Sequence, residues 1–149
     1  MRAQLNQALK DAMKAGERRR VDTIRMINAA LKDRDIAARG DGKTVSDEDI
    51  LALMQKLVKS RQESLEIYEK AGRDDLATQE REEIQVIQSF LPQPLSDAEV
   101  EAAISSAIAE TGAASIKDMG KVVGVLRSKY AGRLDVAKAS SLVKAKLGG

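Results

Sequence analysis

The chain has 149 residues, 25 Lys+Arg against 23 Asp+Glu, and no Cys or His. Without cysteine there is no disulfide frame, thiolate zinc site or thiol nucleophile, and without histidine the commonest general base and zinc ligand are both missing. Aromatic residues make up 2% of the chain, too few for platforms on which bases stack, while the 43% apolar share suffices for a packed core.

No apolar run approaches the roughly 20 residues of a membrane-spanning helix. The first fifteen residues carry apolar positions at helical spacing, unlike the continuous core of a signal peptide. The expected compartment is therefore the cytosol. A transit peptide is the lesser alternative, since no acid precedes Asp11 but Ser is absent there too.

Leu5, Ala8, Leu9, Ala12 and Met13 share one face of a first helix that Gly16 interrupts. Val21, Ile24, Ile27 and Leu31 mark a second, running to about Arg39 before Gly40-Asp41-Gly42. Ser46-Asp47-Glu48-Asp49 supplies a cap and first-turn acids to a third, whose stripe is Ile50, Leu53, Met54, Leu57, Leu65 and Tyr68. Ala71-Gly72 stops it. Asp74 is the candidate cap of a fourth helix bearing Leu76, Ile84, Ile87 and Leu91.

Phe90-Leu91-Pro92-Gln93-Pro94-Leu95-Ser96 follows, with the only two prolines in the chain. A helix entering it must stop, because proline has no N–H and clashes with the preceding turn. Ser96-Asp97-Ala98-Glu99 restarts helix as a capping box. Pro92 and Pro94 thus mark a hinge between residues 1–91 and 92–149. Beyond it, Val100, Ala103, Ile104, Ala107 and Ile108 line a fifth helix ended by Gly112. Ser115 to Asp118 is a second capping-box candidate, with Ile116, Met119, Val123, Leu126 and Tyr130 inward and Gly132 as the stop. Asp135 caps a last helix with Val136, Val143 and Leu147 inward. The reading is all-α: long amphipathic helices, a proline-containing link and a small three-helix C-terminal bundle, with no strand signal and no internal repeat.

The near-neutral total hides a polarity. From Gly112 onward there are eight bases (Lys117, Lys121, Arg127, Lys129, Arg133, Lys138, Lys144, Lys146) against Asp118 and Asp135, whereas Pro92 to Thr111 has four acids and no base. Met1 to Arg39 is also basic, ten against five, and includes Arg18-Arg19-Arg20.

Catalytic readings find little support. The Ser105-Ser106 and Ser140-Ser141 pairs would need Lys as base, and both lie within helices without a glycine-rich oxyanion loop. Neither phosphate-binding glycine motif is present. Asp41, Gly42 and Glu48 fit three positions of a calcium loop, but Ala37 and Arg39 would fall where carboxylates are required, so no metal is expected. No cofactor is expected either. Gly120-x-x-x-Gly124 is a small-residue face, read as close packing beside Met119 within the bundle or as close approach of a phosphate backbone. Lysines and arginines on two adjacent helices suit phosphates, which need positive charge and little else.

Residues Lys59 to Leu76 (KSRQESLEIYEKAGRDDL), Phe90 to Ser96 (FLPQPLS), Asp118 to Gly124 (DMGKVVG) and Gly132-Arg133, in this order and spacing, resemble the YqeY-like family over essentially the whole chain. That family is similar to the C-terminal tail of the B subunit of the tRNA-dependent glutamyl/aspartyl amidotransferase, and to an appendage of some glutaminyl-tRNA synthetases. The resemblance implies an all-α first part and a three-helix tail that contacts tRNA. It carries Met119, Gly120, Lys121, Gly124, Lys129 and Arg133 as the tail motif. Many relatives have a glycine after the aspartate of the last turn; Leu134-Asp135-Val136-Ala137-Lys138 has none, which leaves the aim of Lys138 open.

The expected function is thus a non-catalytic tRNA-binding or adaptor protein, with Lys117, Lys121, Arg127, Lys129, Arg133, Lys138 and Lys144 on the phosphate backbone. The alternative is a protein-interaction module docking on an amidotransferase or aminoacyl-tRNA synthetase. Any glutamine-dependent carbon–nitrogen ligase activity implied by the resemblance would belong to such a partner.

Overall fold

The computed structural model describes residues 1–148, and among these every regular element is helical. The chain forms two compact units, Met1–Leu91 and Pro92–Gly149.

The first unit contains α1 (Arg2–Ala15), α2 (Arg18–Gly40), α3 (Asp47–Lys70) and α4 (Asp74–Gln88). At the end of α1, Gly16 adopts φ 70°, where a Cβ would be strained, and the Glu17 N–H reaches back to Ala12 O at 3.0 Å. α3 starts on a complete capping box: Ser46 Oγ accepts from Asp49 N–H, and Asp49 accepts from Ser46 N–H. The expected cap at Asp74 is displaced. Arg73 holds the cap position, and Asp74 with Asp75 sits inside the first turn, where acids favour the positive helix end. Leu5, Ile27, Leu31, Ile50, Met54, Val58, Ile84 and Ile87 form the core.

One polar cluster interrupts the packing. The Arg61 guanidinium donates to Glu83 Oε2 at 3.0 Å, to Leu57 O at 3.1 Å, and to Met26 Sδ. Beside it Glu80 Oε2 is buried without a hydrogen-bond partner among the described residues. Burial, then the neighbouring Glu83, raise the Glu80 carboxyl above its ordinary range, against the pull of Arg61.

The second unit contains α5 (Asp97–Thr111), a single 3-10 turn (Ile116–Asp118), α6 (Met119–Lys129) and α7 (Val136–Gly148). The Ser96/Glu99 capping box is complete, with both bonds at 3.1 Å. Gly112, at φ 67°, ends α5 in the left-handed conformation. Ser115 forms no side-chain cap; instead Asp118 Oδ2 accepts from the Ala114 N–H at 3.0 Å across the 3-10 turn, and α6 begins at Met119. The inward register of α6 differs by one residue from the expected stripe. Val122 and Leu126 are fully enclosed, Val123 is half-buried, and Ile116 is 48% exposed. Asp135 Oδ1 accepts from the Ala137 and Lys138 N–H groups, opening α7. The core joins Ala103, Ile104 and Ala107 of α5 to Val122 and Leu126 of α6, Leu134, and Ala139 and Val143 of α7.

The segment holding Pro92 and Pro94 is tied into this second unit. Arg133 Nε donates to Gln93 O at 2.8 Å, and Leu95 N–H donates to Arg133 O at 2.9 Å.

Candidate nucleic-acid interface

The basic residues of the second unit separate into two groups. On one side, cations of α6 and α7 reach back to the acidic, polar α5. Lys129 Nζ lies 2.7 Å from Glu110 Oε2, Lys138 Nζ lies 3.5 Å from Asp97 Oδ1, and Lys146 Nζ lies 3.3 Å from Ser105 Oγ. The Glu110 contact holds the Lys129 ammonium above its usual range. Arg133 is committed to the proline-containing segment, as described above. Three cations expected on the phosphate backbone (Lys129, Arg133 and Lys138) thus already have partners within the unit.

On the other side, Lys117, Arg127 and Lys144 make no ion pair among the described residues, and Lys121 has a longer-range attraction to Asp118. That carboxyl lies below its usual range, first because it accepts the Ala114 N–H, with Lys121 a smaller cause. Gly120, Lys121, Gly124, Arg127 and Ser128 are all exposed. At roughly 100° per residue they occupy about a third of the α6 circumference, opposite the side buried through Val122 and Leu126. On α7 the corresponding exposed positions are Ala137, Ser141, Lys144 and Ala145. α6 and α7 pack directly against each other, and their two exposed faces, each opposite its own buried side, make up the α6–α7 flank; Lys117 precedes α6 in the 3-10 turn.

Gly120 and Gly124 resolve an ambiguity of the sequence. A Cβ built on either meets no atom within 4 Å. Neither glycine is a packing contact inside the unit, so the expectation that they sit against a neighbouring helix is corrected. The small-residue face is open to solvent, and Met119 beside it is half-buried.

The arrangement offers ammonium and guanidinium groups over a smooth helical surface, and little that could perform chemistry. Ser140 and Ser141 hydroxyls donate to Val136 O and Ala137 O of their own helix. Ser105 meets Lys146, but both are exposed and Ser105 lies mid-helix, where backbone N–H groups are occupied and cannot form an oxyanion hole. Among the described residues no group of three His, Cys, Asp or Glu could hold a metal ion, and no helix is long and apolar enough to cross a membrane.

A family model described as Yqey-like protein matches residues 2–147. A protein of Lachancea thermotolerans named altered inheritance of mitochondria protein 41, mitochondrial, is 36% identical over 110 residues, covering 72% of this chain and 58% of that protein. Its namesake in Eremothecium gossypii is 37% identical over 106 residues, covering 70% and 57%. An uncharacterized protein of Schizosaccharomyces pombe is 30% identical over 97 residues, covering 65% and 76%. The chain thus spans under three fifths of the first two relatives. The cytosolic compartment expected from the sequence is corrected by these comparisons, since the first two relatives, and another in Vanderwaltozyma polyspora, are named as mitochondrial proteins.

Proposed function

The chain belongs to the Yqey-like family, and on that premise we propose that it is a non-catalytic RNA adaptor whose α6–α7 flank rests on the phosphate backbone of a folded RNA, tRNA foremost. The supporting observation is the division of the cations. Lys129, Lys138 and Lys146 are held by α5, while Lys117, Lys121, Arg127 and Lys144 extend from a flank whose glycines leave it unobstructed. Such a surface suits recognition by shape and charge, with no aromatic among its residues to stack a base. The corner of tRNA, where backbone segments converge, suits it. The relatives' names favour a mitochondrial pool of RNA.

Gel retention of bulk tRNA across a salt series tests this. Lys121→Glu with Lys144→Glu should weaken binding and flatten the salt slope by about one unit per contact removed. Lys129→Glu, at a residue already paired with Glu110, should do much less. Equal losses in both variants, or no retention of tRNA by the natural chain at low salt, would refute the assignment. Docking on a protein partner finds weaker support. Met13, Ile36 and Ile67, the exposed large apolar side chains of the first unit, lie on three separate helices.

A further inference from the structure

The three arginines that open α2 have no part in the α6–α7 flank, and their position is energetically odd. The N-terminal end of a helix is positive and favours acids, yet α2 begins Arg18-Arg19-Arg20, with no acid in its first turn and no side-chain cap. Together with Glu17, Glu82 and Gln85 they line a cleft of about 470 Å³. Arg19 is neutralised, with Nε 2.9 Å from Glu82 Oε2. Arg20 is oriented without being neutralised: its guanidinium lies 5.1 Å over the Phe90 ring and gives one N–H to Ser89 Oγ at 3.3 Å. Arg18 is exposed and its side chain has no partner among the described residues. Once the Arg19–Glu82 pair is set aside, Arg18 and Arg20 stand against Glu17. Within this cavity that leaves a single positive charge, opposite in sign to a phosphodiester.

A second cavity, of about 540 Å³, shares Glu17 and Arg20 with the first and is lined also by Gln4, Gln7 and Asp11. Gln7 Nε2 donates to Asp11 Oδ1 at 3.0 Å, which fixes the carboxylate. A carboxylate beside a phosphate cleft repels a second phosphate but accepts a hydrogen bond from a sugar hydroxyl, as acidic residues do at ribose sites.

We propose that this cleft binds one phosphodiester of an RNA strand, with Arg18 and Arg20 on the phosphate oxygens, and that Asp11 with Gln7, in the adjoining cavity that shares Arg20, takes the neighbouring 2′-hydroxyl. The site stands on side chains around a concavity and belongs wholly to the first unit, so it is independent of the α6–α7 flank. A phospholipid headgroup carries the same phosphodiester, but it offers no 2′-hydroxyl. None of the exposed large apolar side chains lines either cavity to meet a membrane.

Fluorescence anisotropy with a short unstructured RNA oligonucleotide, and with DNA of the same sequence, tests the site in the full chain carrying Lys121→Glu and Lys144→Glu. That chain should still bind RNA, and bind it more tightly than the DNA. Adding Arg18→Gln and Arg20→Gln should lower RNA affinity about fivefold and flatten the salt slope by about 0.7, the value for one single-strand phosphate contact. Arg18→Gln alone, at an exposed residue without a partner, should give a smaller loss with unchanged folding. Asp11→Ala, which removes the acceptor along with the charge, should erase the preference for RNA while DNA affinity rises, since a carboxylate no longer stands beside the phosphate. Equal binding with and without the arginines, or equal affinity for RNA and DNA, would overturn the proposal. Capture by phosphatidylglycerol vesicles without RNA binding would overturn it too. Loss of all RNA binding on changing Lys121 and Lys144 alone would sink this site and leave the α6–α7 flank standing; no loss at all would do the reverse.

Discussion

Replacing Gly120 and Gly124 by alanine separates stability from function. Both glycines lie inside α6, on its exposed face, and an added Cβ at either meets nothing within 4 Å. Neither has a positive φ, so alanine fits the backbone as it stands. Alanine exceeds glycine in a helix interior by about 0.5–1 kcal/mol, because glycine loses more backbone freedom on folding. With no contact to lose, the double variant should gain about 1–2 kcal/mol. For a unit of this size that raises the melting temperature by roughly 5–15 °C. Tyr130 is the only tyrosine of the second unit and Tyr68 the only one of the first. Tyrosine fluorescence in a Tyr68→Phe background therefore follows the second unit alone. If the open glycines admit a phosphate backbone, the same variant should bind tRNA several-fold more weakly while melting higher. A destabilised variant would mean that the face is packed after all. A stabilised variant with undiminished binding would show that the glycines have no part in recognition.

Glu80→Gln should stabilise the first unit by about 1 kcal/mol at neutral pH, since an amide beside Glu83 replaces a buried carboxylate oxygen that has no partner; partial exposure keeps the gain below the full cost of an unsatisfied buried group. Because the Glu80 pKa is raised on folding, its ionisation destabilises the fold increasingly as pH rises from the ordinary carboxylate range through the raised value; the advantage of Gln should therefore shrink on acidification, and Tyr68 fluorescence in a Tyr130→Phe background during denaturation reads it. Ile104→Ala, at a fully enclosed site of α5, should cost about 3–4 kcal/mol, enough to unfold much of so small a unit while the Tyr68 transition of the first unit stays in place.

Helix ends were the most legible features, because their chemistry is local. Ser46 with Asp49 and Ser96 with Glu99 form both bonds of a capping box, and left-handed Gly16, Gly42, Gly72 and Gly112 follow four of the helices. The misreadings lie where several local solutions compete. Ser115 could cap a helix, but Asp118 reaches one residue further back to Ala114 and a 3-10 turn fills the gap. In the run Val122-Val123-Gly124-Val125-Leu126 apolar residues surround the helix, so periodicity cannot choose the inward side. Packing of α5 and α7 chooses Val122.

The candidate interface was legible as an excess of charge and illegible as a surface. Counting residues cannot tell Lys129 from Lys121, yet one lies against Glu110, nineteen residues away in the chain, and the other faces solvent. Arg133 makes the same point about the prolines. As a sequence feature, Pro92-Gln93-Pro94 is a break between two runs of helix. As a structure, its middle carbonyl is held by Arg133 Nε, while the Arg133 carbonyl accepts the Leu95 N–H. A motif arginine that sequence assigns to RNA is thus occupied in fixing backbone within its own unit. Charge reversal at Arg133 would disturb this clamp as well as any RNA contact, so weaker binding in such a variant could not be assigned to a lost phosphate. Lys121 and Lys144 carry no comparable structural duty among the described residues, which makes them the residues through which the reading of the α6–α7 flank stands or falls.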